Sequence, residues 1–74
     1  MIMEFFLEQI AELLEVDVVN KADELKSFEA WDSLTILSII AMANENYGVV
    51  LNAAEINEVN TIAGLWSLIE SKKA

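Results

Sequence analysis

Neither cysteine nor histidine occurs anywhere in the 74 residues, and this double absence limits the fold more than any motif does. Small domains often supplement a limited core with disulfides or a structural metal. Without cysteine there is no disulfide, and without either residue a zinc site would have only carboxylates for ligands. No metal site is therefore expected. Stability has to come from apolar packing, for which a hydrophobic fraction of 55% supplies the material. A chain this short holds one core, so residues 1–74 are read as a single domain. The missing cysteines also fit a reducing compartment, and a cytoplasmic location is expected.

The charge balance narrows the partners. Thirteen acidic residues face four lysines, with no arginine, for a formal charge of −9. Such a surface repels phosphate backbones and anionic lipid, which argues against nucleic acid and membrane-surface roles. It attracts basic patches on other proteins and speeds encounter with them. The opening Met1-Ile2-Met3-Glu4-Phe5-Phe6-Leu7-Glu8 is apolar, but it lacks a basic leading segment and is broken by glutamates. It is expected to be neither a signal peptide nor a membrane span. With a methionine at its start and a helical pattern near its end, the chain reads as a discrete protein, expected to be monomeric.

Periodicity predicts helices throughout. From Met3 to Glu15, Met3, Phe6, Leu7, Ile10, Leu13 and Leu14 recur at helical spacing, with Glu4, Glu8, Glu12 and Glu15 together on the other side. Glutamates stacked at i,i+4 repel, so this helix must be held by its buried face, and the acidic stripe is read as solvated. Asp17 to Ala30 has no sustained period and reads as a long connection, with Leu25 and Phe28 as anchors into the core. A second helix is predicted from Ser33 to Tyr47. Ile36, Ile39, Ile40, Ala43 and Tyr47 turn inward, while Leu34, Leu37, Ser38, Ala41 and Glu45 turn outward. Gly48 is a natural stop. Asn52-Ala53-Ala54-Glu55 resembles a capping box opening a short helix to about Val59. Asn60-Thr61 then caps a last helix from Ile62 to about Lys72, with Ile62, Leu65, Trp66, Leu68 and Ile69 on one face. The expected fold is all-α, a four-helix bundle of three main helices and one short one.

Catalytic chemistry has little to work with. No histidine, cysteine or arginine is present, and there is no phosphate-binding glycine loop or calcium loop. A nucleophilic Ser33 would need an adjacent base, and its only neighbouring base in sequence is the carboxylate of Asp32, a weak base type. The chain is not expected to be an enzyme. What remains is a serine after a long loop and at the start of a well-patterned helix. An anionic phosphodiester on that oxygen would be favoured by the positive end of the helix dipole. For an isolated Asp-Ser pair, an ordinary N-cap serine is the better reading.

The pair is not isolated. Asp32-Ser33-Leu34, followed by Thr35-Ile36-Leu37-Ser38-Ile39-Ile40 and then Tyr47-Gly48-Val49, resembles the modification motif and second helix of acyl carrier proteins. Asn60-Thr61-Ile62-Ala63-Gly64-Leu65 is similar to the start of that family's last helix. The resemblance covers essentially the whole chain. It implies that a phosphopantetheinyl transferase attaches 4′-phosphopantetheine from coenzyme A to Ser33, and that the arm's thiol carries an acyl group as a thioester for fatty acid, polyketide or related biosynthesis. A chain without cysteine has to import that thiol. Asp32 would help position the transferase, and Leu34, Leu37, Ser38, Ala41 and Glu45 would meet partners, among them an acyl-activating ligase or acyltransferase and a ketosynthase. A pocket for the acyl chain would draw on Leu37, Ala43, Leu51, Ile56, Val59 and Leu65, residues that serve equally as ordinary core.

Two departures from the family pattern bear on the pathway. Ala30 and Trp31 precede Asp32, where the family commonly has a glycine two residues before the serine. Thr35, Ser38 and Asn44 stand where fatty-acid carriers usually place acids along the second helix. The second departure favours a dedicated carrier in a specialised pathway over a housekeeping role in fatty acid synthesis. An aminoacyl, peptidyl or D-alanine carrier would keep the fold and change the cargo. An unmodified helical interaction domain would use Ser33 only as a cap.

Overall fold

The computed structural model describes residues 3–73; Met1, Ile2 and Ala74, at the ends of the single domain read above, lie outside the described residues. Helix α1 spans Met3–Leu13, α2 Ser33–Tyr47, α3 Ala53–Glu58 and α4 Ile62–Lys73, with a single 3₁₀ turn at Leu25–Ser27. Among the described residues there is no strand, only one bridge between Glu24 and Thr61. The all-α bundle of three long helices and one short one is the fold that the periodicity predicts.

Each boundary has a local cause. α1 stops two residues before the expected Glu15, because Glu15 turns into the left-handed region at φ 59°. There the Val16 N–H donates back to the Ala11 carbonyl at 3.0 Å, closing the helix end. α2 ends at Gly48 in the same left-handed conformation, φ 67°. Asn52 and Glu55 form the reciprocal capping box of α3, each side chain accepting from the other's backbone N–H, at 2.8 and 3.1 Å.

Phe6, Tyr47 and Trp66 join α1, α2 and α4 at one end of the bundle, with ring centroids 4.9–6.3 Å apart. The Tyr47 hydroxyl donates to Gln9 Oε1 at 3.2 Å. The beginning of α1 therefore meets the end of α2, so the two run antiparallel. The end of α1 and the start of α2 share the opposite end of the molecule.

The long connection is pinned rather than loose. Leu25 is fully buried and Phe28 packs half-buried on the core, as expected, and Val19 is buried with them. Its backbone also caps the start of α4. Asp23 and Lys21 carbonyls accept from the Ile62 and Ala63 N–H groups at 3.1 and 2.9 Å, and Thr61 Oγ1 accepts from Gly64 N–H at 3.1 Å. Three N–H groups that a helix start leaves without intrahelical partners are satisfied in this way.

Candidate functional site

The start of α2 divides two tasks between neighbouring residues. Asp32, in extended backbone conformation, is the N-cap: its Oδ1 accepts from the Thr35 N–H at 2.8 Å. Ser33 is the first helical residue, exposed, and its hydroxyl has no hydrogen bond among the described residues. Reading Ser33 as the helix cap is therefore corrected, since the cap position is already filled by a carboxylate. The serine oxygen is left free for chemistry. It stands at the positive end of a helix of 15 residues, where an attached phosphodiester is stabilised.

The loop before the serine is held in place from inside. Thr35 is only 8% exposed, and its hydroxyl donates to the Ala30 carbonyl at 2.6 Å. This corrects the placement of Thr35 at an outward, partner-facing position. The signal for it was in the sequence: Thr35, Ile39 and Met42 stand at i, i+4 and i+7, and all three are buried. The inward stripe of α2 is wider than Ile36, Ile39, Ile40, Ala43 and Tyr47 alone. The Thr35–Ala30 bond fixes the approach of the chain to Asp32 and Ser33.

The other surface residues assemble as the period places them. Leu34 and Leu37 are 72% and 60% exposed; Asp32, Ala41 and Glu45 are exposed, and Ser38 is half-buried with its hydroxyl on the Leu34 carbonyl. They form one outward ridge running from Ser33 along α2, apolar in the middle with a carboxylate towards each end.

Of the six residues named for an acyl pocket, Leu37 stands apart from the other five. Leu37 points to solvent, because a residue one position after inward-facing Ile36 is rotated about 100° away. Ala43, Leu51, Ile56 and Leu65 are packed into the core, with Val59 half-buried against it. Of two surface cavities among the described residues, neither is lined by any of the six. One lies between Leu14–Val16 and Ser27–Ala30, the other between α1 and Asp17–Val19.

Among the described residues no cluster of acidic residues has the arrangement to hold a metal ion, and no helix is long and apolar enough to cross a membrane. A free, exposed serine hydroxyl at a helix N-terminus fits a covalently attached phosphate.

Comparison with known proteins agrees with this geometry. The family model described as "Phosphopantetheine attachment site" matches residues 4–69. The polyketide-8 synthase acyl carrier protein 2 of Streptomyces avermitilis is 33% identical over 67 residues, covering 88% of this chain and 77% of that protein. No solved structure matches. Members of the matched family are carriers rather than catalysts, hold a covalent 4′-phosphopantetheine, and serve a transferase and the enzymes of a pathway. The match covers most of the chain, and the chain belongs to the acyl carrier protein family.

Proposed function

We propose that Ser33 is the residue that receives 4′-phosphopantetheine, and that the loaded protein shuttles acyl thioesters for polyketide or a related specialised biosynthesis in the cytoplasm. The observation that carries this reading is the division of labour at the start of α2. Asp32 takes the capping bond, so the Ser33 oxygen is exposed and uncommitted. When bound, the arm supplies the thiol that a cysteine-free chain lacks. The residues of this chain do the rest. The first turn of α2 offsets the phosphodiester's charge, the Thr35–Ala30 bond ties the preceding loop to that turn, and the Asp32 carboxylate stands beside the serine for a transferase to read.

The ridge of Leu34, Leu37, Ser38 and Ala41, with Asp32 and Glu45 towards its ends, is the surface this reading gives to partners. Its apolar middle supports recognition by shape and burial, with charge acting on the encounter rate. That balance, together with the 33% identity to a polyketide carrier, favours a dedicated pathway over general fatty acid synthesis. The test is direct. Incubated with coenzyme A and a broad-specificity transferase, the protein should gain the mass of one phosphopantetheine, and Ser33→Ala should gain none. Wild type that gains nothing, or Ser33→Ala that gains as much, would overturn the assignment.

A further inference from the structure

The short stretch of chain that bears Ser33 is closed by a single residue. Thr35 makes two bonds back across it: its amide N–H donates to Asp32 Oδ1 at 2.8 Å, and its hydroxyl donates to the Ala30 carbonyl at 2.6 Å. The Ile36 N–H adds the first intrahelical bond, to the Asp32 carbonyl at 3.0 Å. Residues 30–35 therefore form a closed loop with Ser33 exposed on it. On the upstream side Phe28 and Trp31 pack half-buried on the core, and the Trp31 N–H donates to the Phe28 carbonyl at 3.1 Å. Among the described residues, the Thr35 hydroxyl is the donor that the Ala30 carbonyl receives. Thr35 is also the one buried polar residue among them. Ile39 and Met42 continue its stripe as apolar residues, and a valine of the same branched shape would complete that stripe without a polar atom to satisfy. Packing alone does not call for the hydroxyl. The bond to Ala30 does.

Resting on the reading of Ser33 as the attachment residue, we propose that Thr35 is a positioning residue for its modification: the Thr35–Ala30 bond holds Asp32 and Ser33 in the arrangement that a phosphopantetheinyl transferase binds. In that transfer the Ser33 oxygen bonds to the phosphorus of coenzyme A that carries pantetheine. The phosphoanhydride bond breaks, adenosine bisphosphate leaves, and the serine proton passes to a base of the transferase. Thr35 takes no part in those bonds. It is 8% exposed, and its hydroxyl is already donated to a carbonyl. Its effect therefore passes through the backbone of residues 30–33. Such preorganisation acts on binding. When the competent arrangement is only a fraction of the population, the apparent affinity falls by that fraction, while the rate of the bound complex is unchanged.

The experiment measures transfer from coenzyme A by a broad-specificity transferase over a range of carrier concentrations, for wild type, Thr35→Val, Thr35→Ser and Gly48→Ala. Thr35→Val keeps the branched shape and removes the hydroxyl. Thr35→Ser keeps the hydroxyl and removes the methyl. Gly48→Ala strains the far end of α2, at φ 67°, and is the control for stability alone. Thr35→Val should raise KM about fivefold, the worth of one hydrogen bond, with kcat near that of wild type. Thr35→Ser and Gly48→Ala should keep the KM of wild type. Without any transferase, the amide resonances of Trp31, Asp32 and Ser33 should move in Thr35→Val and stay in Thr35→Ser, while those of Ile62, Leu65 and Ile69 stay in both. A Thr35→Val protein with the KM of wild type, whatever its kcat, would overturn the proposal. So would an equal rise in Thr35→Ser, which assigns the effect to packing, or in Gly48→Ala, which assigns it to stability. Wild type that gains no mass at all would overturn the Ser33 reading and this proposal with it.

Discussion

At the scale of single residues, backbone conformation decides more than side-chain type. Asp32, Ser33 and Thr35 are all good helix-start residues, and sequence alone does not rank them for the cap. Their registers do: Asp32 lies outside the helix and can reach back to Thr35, whereas Ser33 is already inside it. Glu15 shows the same principle at a cost. It occupies the left-handed region that a glycine takes freely, and a side-chain-bearing residue there is disfavoured by about 1 kcal/mol. Nothing in the pattern Leu13-Leu14-Glu15-Val16 announces it, since apolar periodicity continues past the point where the helix stops. Glu15→Gly should therefore stabilise the fold by about 0.5–1 kcal/mol, raising Tm by a few degrees. Glu15→Gln removes the charge but keeps the strained Cβ, so it separates the two contributions. Equal gains from both variants, measured by thermal unfolding, would assign the effect to charge and remove the backbone argument.

At the scale of elements, helices were legible and their attachments were not. The four helical segments follow from 3.6-residue periodicity, Asn52-x-x-Glu55 and Gly48, and their ends fall within about two residues of expectation. The loop from Asp17 was legible only through its anchors. That its carbonyls at Lys21 and Asp23 cap α4 depends on contacts across some forty residues, which no local pattern encodes. The two glycines make the point testable with one substitution of opposite sign. Gly48 terminates α2 at φ 67°, with open space around the position of a Cβ, so Gly48→Ala costs only backbone strain, about 1 kcal/mol. Gly64 is in the first turn of α4, where an added Cβ would touch Thr61 Oγ1 at 3.4 Å and Val59 Cβ at 3.6 Å, ordinary contact distances. Gly64→Ala should stabilise by about 0.5–1 kcal/mol through reduced unfolded-state entropy. Denaturant midpoints should move in opposite directions. A loss in Gly64→Ala as large as that in Gly48→Ala would show that the Thr61 cap does not tolerate the methyl.

At the scale of the whole molecule, a charge of −9 on 74 residues is held together with few compensating pairs. Among them Lys72 meets Glu55, joining the end of α4 to the start of α3. The Lys72 hydrogen bond, ahead of the smaller contribution of the Asn52 N–H, holds the Glu55 carboxyl below its ordinary 4.5. A folded value below the unfolded one means the contribution is present above the unfolded value and lost as pH falls through the folded one. Lys72→Met should therefore be less stable than wild type at pH 7, and the gap should narrow as pH drops below 4.5. It should not close completely, because Lys72 also lies in the last turn of α4, where a cation suits the helix dipole at any of these pH values. Removing a lysine also raises the net negative charge, so Lys26→Met, on the 3₁₀ turn away from Glu55, serves as the control for charge alone. Added salt at pH 7 should raise Tm in all three proteins by screening the acidic excess, and should shrink the Lys72→Met gap because the pair is partly open to solvent. A gap that stays constant from pH 7 to pH 3, or that Lys26→Met reproduces in full, would show that the α3–α4 pair contributes nothing and that the bundle rests on its apolar core alone.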